Sequence, residues 1–269
     1  MRQTIPPALF LAMLAAPVVA QDRIPSHCFA VAQGIAQVMP VSFAPEMAAD
    51  QVRVHYIGHA SFAIAAAGKT AVTDYTGYTG LRDWVPDVVT MNNAHSTHWT
   101  AAPDPRIPNV LQGWADAAGP AQHELDLGPM LVRNVPTDVR SRWGDEARKD
   151  GNSIFVFEAG GLCIGHLGHL HHAPDDAQYA SIGRLDVVMV PVDGGYTMAV
   201  SEMSEVVRRL RSSIVIPMHW FSGASLRVFL DSMRSEFEVV ETGGPSLDLS
   251  LRNLPGRPTI MVLLPEAIN

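Results

Sequence analysis

The sequence predicts a single α/β domain, and three observations lead there. Short β-branched runs separated by tight turns recur through the middle of the chain. Two amphipathic stretches of helical period lie in the last third, and several strand-like runs feed polar loops that carry histidine. With 269 residues, 47% hydrophobic and 17% charged, the chain can bury a sizeable core, which excludes a disordered or fibrous protein. Lys and Arg number 19 against 27 Asp and Glu, a net charge of −8, and no basic cluster could follow a phosphate backbone. No nucleic-acid partner is expected; a small molecule is.

At the N-terminus, Arg2 precedes an apolar stretch, Ala8 to Val19, ending in Val18-Val19-Ala20. This is the order of a secretory signal peptide, 1–20, with cleavage expected after Ala20. Residues 21–50 then form an N-terminal arm and 51–269 the domain. The apolar stretch is too short to span a bilayer and no lipid-anchoring cysteine follows it, so the expected protein is periplasmic or secreted, without a stable membrane anchor. In an oxidising compartment, Cys28 and Cys163 either pair, closing a long loop worth about 4 to 5 kcal/mol by chain entropy, or stay as two separate buried thiols.

Val52, Val54 and Tyr56 alternate with polar residues, as do Phe62 and Ile64, and Gly68-Lys69 turns the chain into Ala71 to Asp74: a β-meander. Asp87 to Met91 is a short strand leading into Asn92 to His98. Met130 to Val135 and Ser153 to Glu158 are strands, and Ala159-Gly160-Gly161 turns the second into Leu162 to Ile164. Asp186 to Val192 is nearly continuous apolar sequence, as for an inner strand covered on both faces. Val200, Met203, Val206, Val207 and Leu210 define one helix; Leu226, Phe229, Leu230 and Met233 define another, with Ser225 as its expected cap. Ile214 to Pro217 lies between them and delivers Met218-His219. Strands near 237–240, 246–252 and 259–264 close the chain.

Of 11 histidines, seven gather at three strand ends: His95 and His98; His166, His169, His171 and His172; and His219. An isolated histidine reads as an ordinary hydrogen-bonded residue. Three converging loops that each carry neutral imidazole point instead to a metal centre, since catalytic sites collect about three ligands from separate loops.

Several ordered motifs carry a family resemblance: Tyr56-Ile57-Gly58-His59-Ala60-Ser61-Phe62, Thr73-Asp74, the strand and loop Val88 to His98, Asn152 to Glu158, His166-Leu167-Gly168, and Ile216-Pro217-Met218-His219-Trp220. Over Val52 to Glu266 the chain resembles the metallo-β-lactamase superfamily, in particular the branch related to ascorbate-6-phosphate lactonase. The resemblance implies a four-layer αββα sandwich with a metal at one sheet edge. It also exposes departures. The family's His-x-His-x-Asp-His aligns with Asn93 to His98, so Asn93 replaces a ligand and Thr97 the carboxylate. His169 stands where the family has a bridging Asp. The loop before Asn152 has no histidine, and Asp138 is the nearest oxygen ligand. What survives implies one divalent transition metal held by His98, His169 and His219, with His95 as a fourth ligand or a hydrogen-bonding neighbour. Zinc leads the candidates; iron, copper and nickel also suit such a set.

The resemblance implies a bound water as nucleophile, and with Thr97 in the Asp position another base is needed. Asp74, Asp138 and Asp193 are candidates, although Asp74 also reads as a buried acceptor fixing its loop and Asp193 as a turn residue. His59 resembles a residue lining the family site, or is a core histidine. Asn93, Thr97, His172 and Trp220 are candidates to face substrate. His171 and His172 lie away from the metal, as donors or in solvent. Three functions stay open: an exported hydrolase of a small ester, lactone, amide or phosphoester; a metal- or ligand-binding protein that has lost hydrolysis; and a His-ligated redox protein.

Overall fold

The computed structural model describes residues 26–28, 47–79, 83–141 and 147–268. The expected signal peptide 1–20 lies outside the described residues, as does the arm 21–50 except for 26–28 and 47–50. In chain order the elements are β1 (Val52–Gly58), β2 (Ser61–Ala66), β3 (Lys69–Val72), β4 (Val88–Met91), β5 (Val110–Gln112), β6 (Glu124–Asp126), β7 (Met130–Arg140), β8 (Ala147–Ala159) and β9 (Leu162–His166). There follow α1 (Asp176–Ile182), β10 (Val187–Pro191), α2 (Val200–Leu210), β11 (Ile214–Met218), α3 (Gly223–Met233), β12 (Glu238–Glu241), β13 (Ser246–Leu249) and β14 (Thr259–Val262).

They build two sheets, one ordered β13-β1-β2-β3-β4-β5 and the other β12-β14-β11-β10-β9-β8-β7-β6. The expected meander is present: β1, β2 and β3 are antiparallel neighbours. Strand alternation explains how the sheets meet. Val52, Val54 and Tyr56 turn inward from β1 to face Phe155 and Phe157 of β8 in the central core, and Tyr56 stacks on Phe62 with ring centroids 4.6 Å apart. The inner strand β10 is buried at every position because Val188 and Val190 face outward into a second core roofed by Val206 and Val207 of α2 and Phe229 and Met233 of α3. The outer face of the six-stranded sheet, by contrast, carries Val72, Val89 and Met91 beneath Trp84, Trp99 and Trp114, which come from loops. Among the described residues the helices therefore lie over the eight-stranded sheet.

α3 begins earlier than its pattern suggests. Ser222 has the extended backbone of a cap, φ −136° and ψ 152°, so Ser225 lies within the first turn and is not the cap. α1 escaped the sequence reading because it is short and buries only Ile182; what defines it is the reciprocal capping box between Asp175 and Gln178. β7 and β8 run past their apolar cores into a long hairpin. β6 reaches only Arg133 of β7, so the open edge beyond it tolerates Pro136.

Cys28 and Cys163 are bonded, with Cα atoms 5.9 Å apart, which decides between the two states left open for these residues. Ser26 Oγ donates to Glu158 at 2.6 Å and the His27 ring contacts Leu162 O at 3.2 Å, so segment 26–28 is held on the β8–β9 turn. No helix among the described residues is long and apolar enough to cross a membrane.

Candidate metal centre

Strand direction assembles the site. β3 and β4 are parallel in one sheet, and β9, β10 and β11 in the other, so their C-terminal ends release loops at a common edge, as open α/β sheets generally do. Asp74, His95 and His98, His169, Asp193 and His219 come from these loops, and His59 from the β1–β2 turn. His59, Asp74 and His219 have φ of 55°, 43° and 57°. This left-handed backbone costs a non-glycine residue about 1 kcal/mol or more, and such strain gathers at functional sites. The surroundings hold it: His219 N–H and Tyr56 Oη both donate to His59 O, at 2.7 and 2.8 Å, and Ser61 Oγ donates to Asp74 O at 2.7 Å. Gly168 is required, since at φ +61° a Cβ would meet the side chains of Asn92 and Asn152 at 2.5 to 2.7 Å. Asn152 Oδ1 then receives the N–H of His169 at 2.9 Å.

Four buried side chains form a line. Asp74 Oδ2 lies 2.5 Å from His98 Nδ1, His98 Nε2 3.1 Å from His219 Nε2, and His219 Nδ1 3.0 Å from Asp193 Oδ1. Burial disfavours a charge on Asp193. Hydrogen bonds from His219 and the Thr197 hydroxyl, and from the N–H groups of Gly195 and Thr197, outweigh it and hold the carboxyl well below the usual range. Burial lifts Asp74 to about 7, against the pull of His166 and the Asn92 N–H. Burial, followed by repulsion from His219 and His95, pushes His98 well down.

Across the site, Arg140 N–H donates to His171 Nδ1 at 2.8 Å, and His171 Nε2 lies 2.7 Å from His169 Nδ1. His95 Nδ1 is 3.0 Å from Thr97 Oγ1, and its ring stacks on that of His169 at 5.4 Å. A cavity of about 930 Å³ opens here, walled by His95, His169 and His171 with Arg140, Arg148 and Tyr196.

At this sheet edge two trios bring their ligand atoms within 4.8 Å of one another: His59, His98 and His219; and His95, His98 and His169. The first fits a metal. Asp193, ionised, fixes His219 as the Nδ1–H tautomer, leaving a lone pair on Nε2. When Asp74 is also ionised, His98 Nε2 is a second lone pair facing the first in a buried site, which a cation relieves. His59 Nε2 is buried with no partner. Carboxylates backing the distal nitrogens of histidines are the usual support of such ligands, and an imidazole set suits zinc, iron, copper or nickel.

Of the other sequence candidates, Asp138 is not gathered here: its carboxylate takes Lys149 Nζ at 2.7 Å and the Asp150 N–H at 3.0 Å on the β7–β8 hairpin. Asn93 lines the cavity and donates to Gly151 O at 2.9 Å. Thr97 contacts His95. His172 is exposed and belongs to neither trio. Trp220 packs on the core beneath the helices, its indole N–H buried without a partner, so it does not wall the cavity. The sequence reading did not single out Arg140, Arg148, Tyr196 or Phe221. Tyr196 and Phe221 pair edge to face at 5.4 Å, and both are exposed. Each follows a candidate residue by a few positions, which is the one signal that could have found them.

A model of the beta-lactamase superfamily domain matches residues 53–219, from β1 to the last histidine of the site. A UPF0173 metal-dependent hydrolase of Methanoculleus marisnigri is 26% identical over 203 residues, 70% of this chain and 89% of its own length. One from Pyrococcus furiosus is 25% identical over 190 residues, 63% and 84% of the two chains. Among solved structures, a candidate Zn-dependent hydrolase of the metallo-beta-lactamase superfamily from Thermotoga maritima is similar at a TM-score of 0.56 and 28% identity, covering 79% of this chain and 98% of that one. Fold, site position and matched segment agree: the chain belongs to the metallo-β-lactamase superfamily.

Proposed function

We propose that this protein is an exported metal-dependent hydrolase of a small ester, lactone, amide or phosphoester, using one divalent transition metal, zinc first among candidates. The observation that carries the reading is the buried line Asp74–His98–His219–Asp193 beside the unpartnered Nε2 of His59. His98, His219 and His59 would hold the metal, with His95 at the cavity side. When bound, the metal supplies Lewis acidity that brings the pKa of a water towards about 7 and polarises a carbonyl or phosphoryl oxygen. Asp74 and Asp193 face the backs of the imidazoles, so they orient His98 and His219 rather than reach a substrate. Arg140 and Arg148 line the cavity and favour oxygen-rich, electron-dense groups there. The Cys28–Cys163 bond supports export, because disulfides persist in oxidising compartments.

Elemental analysis of untagged protein purified without chelator tests this, with assays on 4-nitrophenyl acetate, bis(4-nitrophenyl) phosphate and a γ-lactone. The expected result is about one metal per chain, lost in the His98→Ala/His219→Ala variant, and turnover that follows metal content. Protein that takes up no metal on reconstitution would sink the proposal. One observation favours a second reading, a binding protein that has lost hydrolysis: no carboxylate of the described residues lines the cavity. Stoichiometric metal with no turnover of any probe would select it.

A further inference from the structure

We infer that His169 does not ligate the metal but presents its Nε2–H as a hydrogen-bond donor to the substrate oxygen that gains negative charge, with His171 setting that tautomer. The tautomer follows from one bond whose direction is fixed. A main-chain N–H can only donate, so His171 Nδ1, 2.8 Å from Arg140 N, is an acceptor. A neutral imidazole carries one proton, which in His171 is therefore on Nε2. That N–H donates to His169 Nδ1 at 2.7 Å, so His169 in turn carries its proton on Nε2. Ligation through Nε2 would require the reverse arrangement, which turns an N–H of His171 against the N–H of Arg140.

His169 Nε2 is buried and has no partner, although the residue lines the cavity. A buried donor left unpaired is destabilising, so its retention is explained by an acceptor that arrives with the substrate. The ring stands edge-on to His98 and His219, with centroids 4.7 and 5.2 Å away, which places this donor next to the proposed ligands without being one of them. His169 keeps its proton throughout; it stabilises charge on the oxygen and does not transfer a proton. His171 is a positioning residue. The substrate part rests on the hydrolase reading, whereas the tautomer does not.

The test is ¹⁵N NMR of the histidine rings in the full protein, metal-free and zinc-loaded, together with Zn²⁺ titration of His169→Ala, His169→Gln and His219→Ala. In both states the proton of His169 should be on Nε2. Zinc affinity should stay within about 3-fold of wild type in both His169 variants and fall much further in His219→Ala. On whichever 4-nitrophenyl probe the wild type turns over, His169→Ala should lower kcat by about 10² to 10³-fold with KM little changed, and His169→Gln, which keeps an N–H, should recover part of it. A proton on Nδ1, or zinc loss in both His169 variants equal to that in His219→Ala, overturns the inference. If the wild type binds no zinc, the hydrolase reading fails, and the NMR result still decides the tautomer of His169.

Discussion

The two pairs of histidines that face each other across the site use the same ring for opposite ends. His98 and His219 are backed by Asp74 and Asp193; each carboxylate, when ionised, accepts the proton on Nδ1 and leaves a lone pair at the tip. His169 is backed by His171, which is backed by the main-chain N–H of Arg140, and this leaves an N–H at the tip. The chemistry of each imidazole is set by the atom behind it. Residue type and spacing alone do not reveal that atom, which lies on another strand.

Experiments can break or sharpen this contrast. The largest effect is expected from His219→Ala: zinc affinity should drop by more than the roughly 10 to 100-fold typical of losing a residue that only supports a ligand, and turnover should vanish with it. Isothermal titration reads this directly. Next, removing the Cys28–Cys163 bond by the double alanine variant should cost about 2 to 5 kcal/mol in urea unfolding while zinc affinity is unchanged, since both pairs are held by contacts local to the site. Asp193→Asn should weaken zinc by about 10 to 100-fold, because an amide can turn its NH₂ toward His219 and spoil the tautomer. The matching change on the other side, His171→Ala, should leave zinc affinity near wild type.

An effect of another kind concerns acid. Burial, reinforced for several rings by neighbouring charges, holds His59 at about 3 and His171 at about 4, and His98, His166 and His169 also below the ordinary value. These groups stay neutral when folded but take up protons when unfolded, so the metal-free protein should lose stability as pH falls through about 6.5, by roughly 1.4 kcal/mol per pH unit for each net proton. Asp74, raised to about 7, works in the opposite direction, as one group against five. Urea midpoints at pH 7 and 5.5 check the sign. Smallest of all, Trp220→Phe removes a buried N–H with no partner while opening little space, and should melt within about 1 kcal/mol of wild type with zinc affinity intact.

The strands were legible wherever apolar residues alternate or run on, as in β1 and β10, because burial on one face or two leaves that trace. α2 was legible to its ends. α1 and the outer halves of β7 and β8 were not, since they are defined by a capping box and by pairing between polar residues. In the site, strand-end position marked seven histidines alike, and it was the family resemblance that singled out His98, His169 and His219 among them. Asp74 and Asp193 were recognisable as carboxylates at strand ends, yet their partners, 24 and 26 residues away, exist only in the fold. Asp138 looked equally suitable and is consumed by Lys149 instead. His171 was undervalued because four neighbouring histidines cannot all aim at one point; the fold solves this by placing one behind another.

The left-handed backbone of His59, Asp74 and His219 has a consequence for anyone who tries to improve this protein. A search guided by heat tolerance alone is drawn to such positions, where glycine or asparagine relaxes the chain by about 1 kcal/mol apiece. The same three exchanges erase two imidazoles and the carboxylate behind a third. Thermal robustness and metal chemistry therefore compete at identical codons, and a library screened for the first will drift away from the second unless those three are frozen.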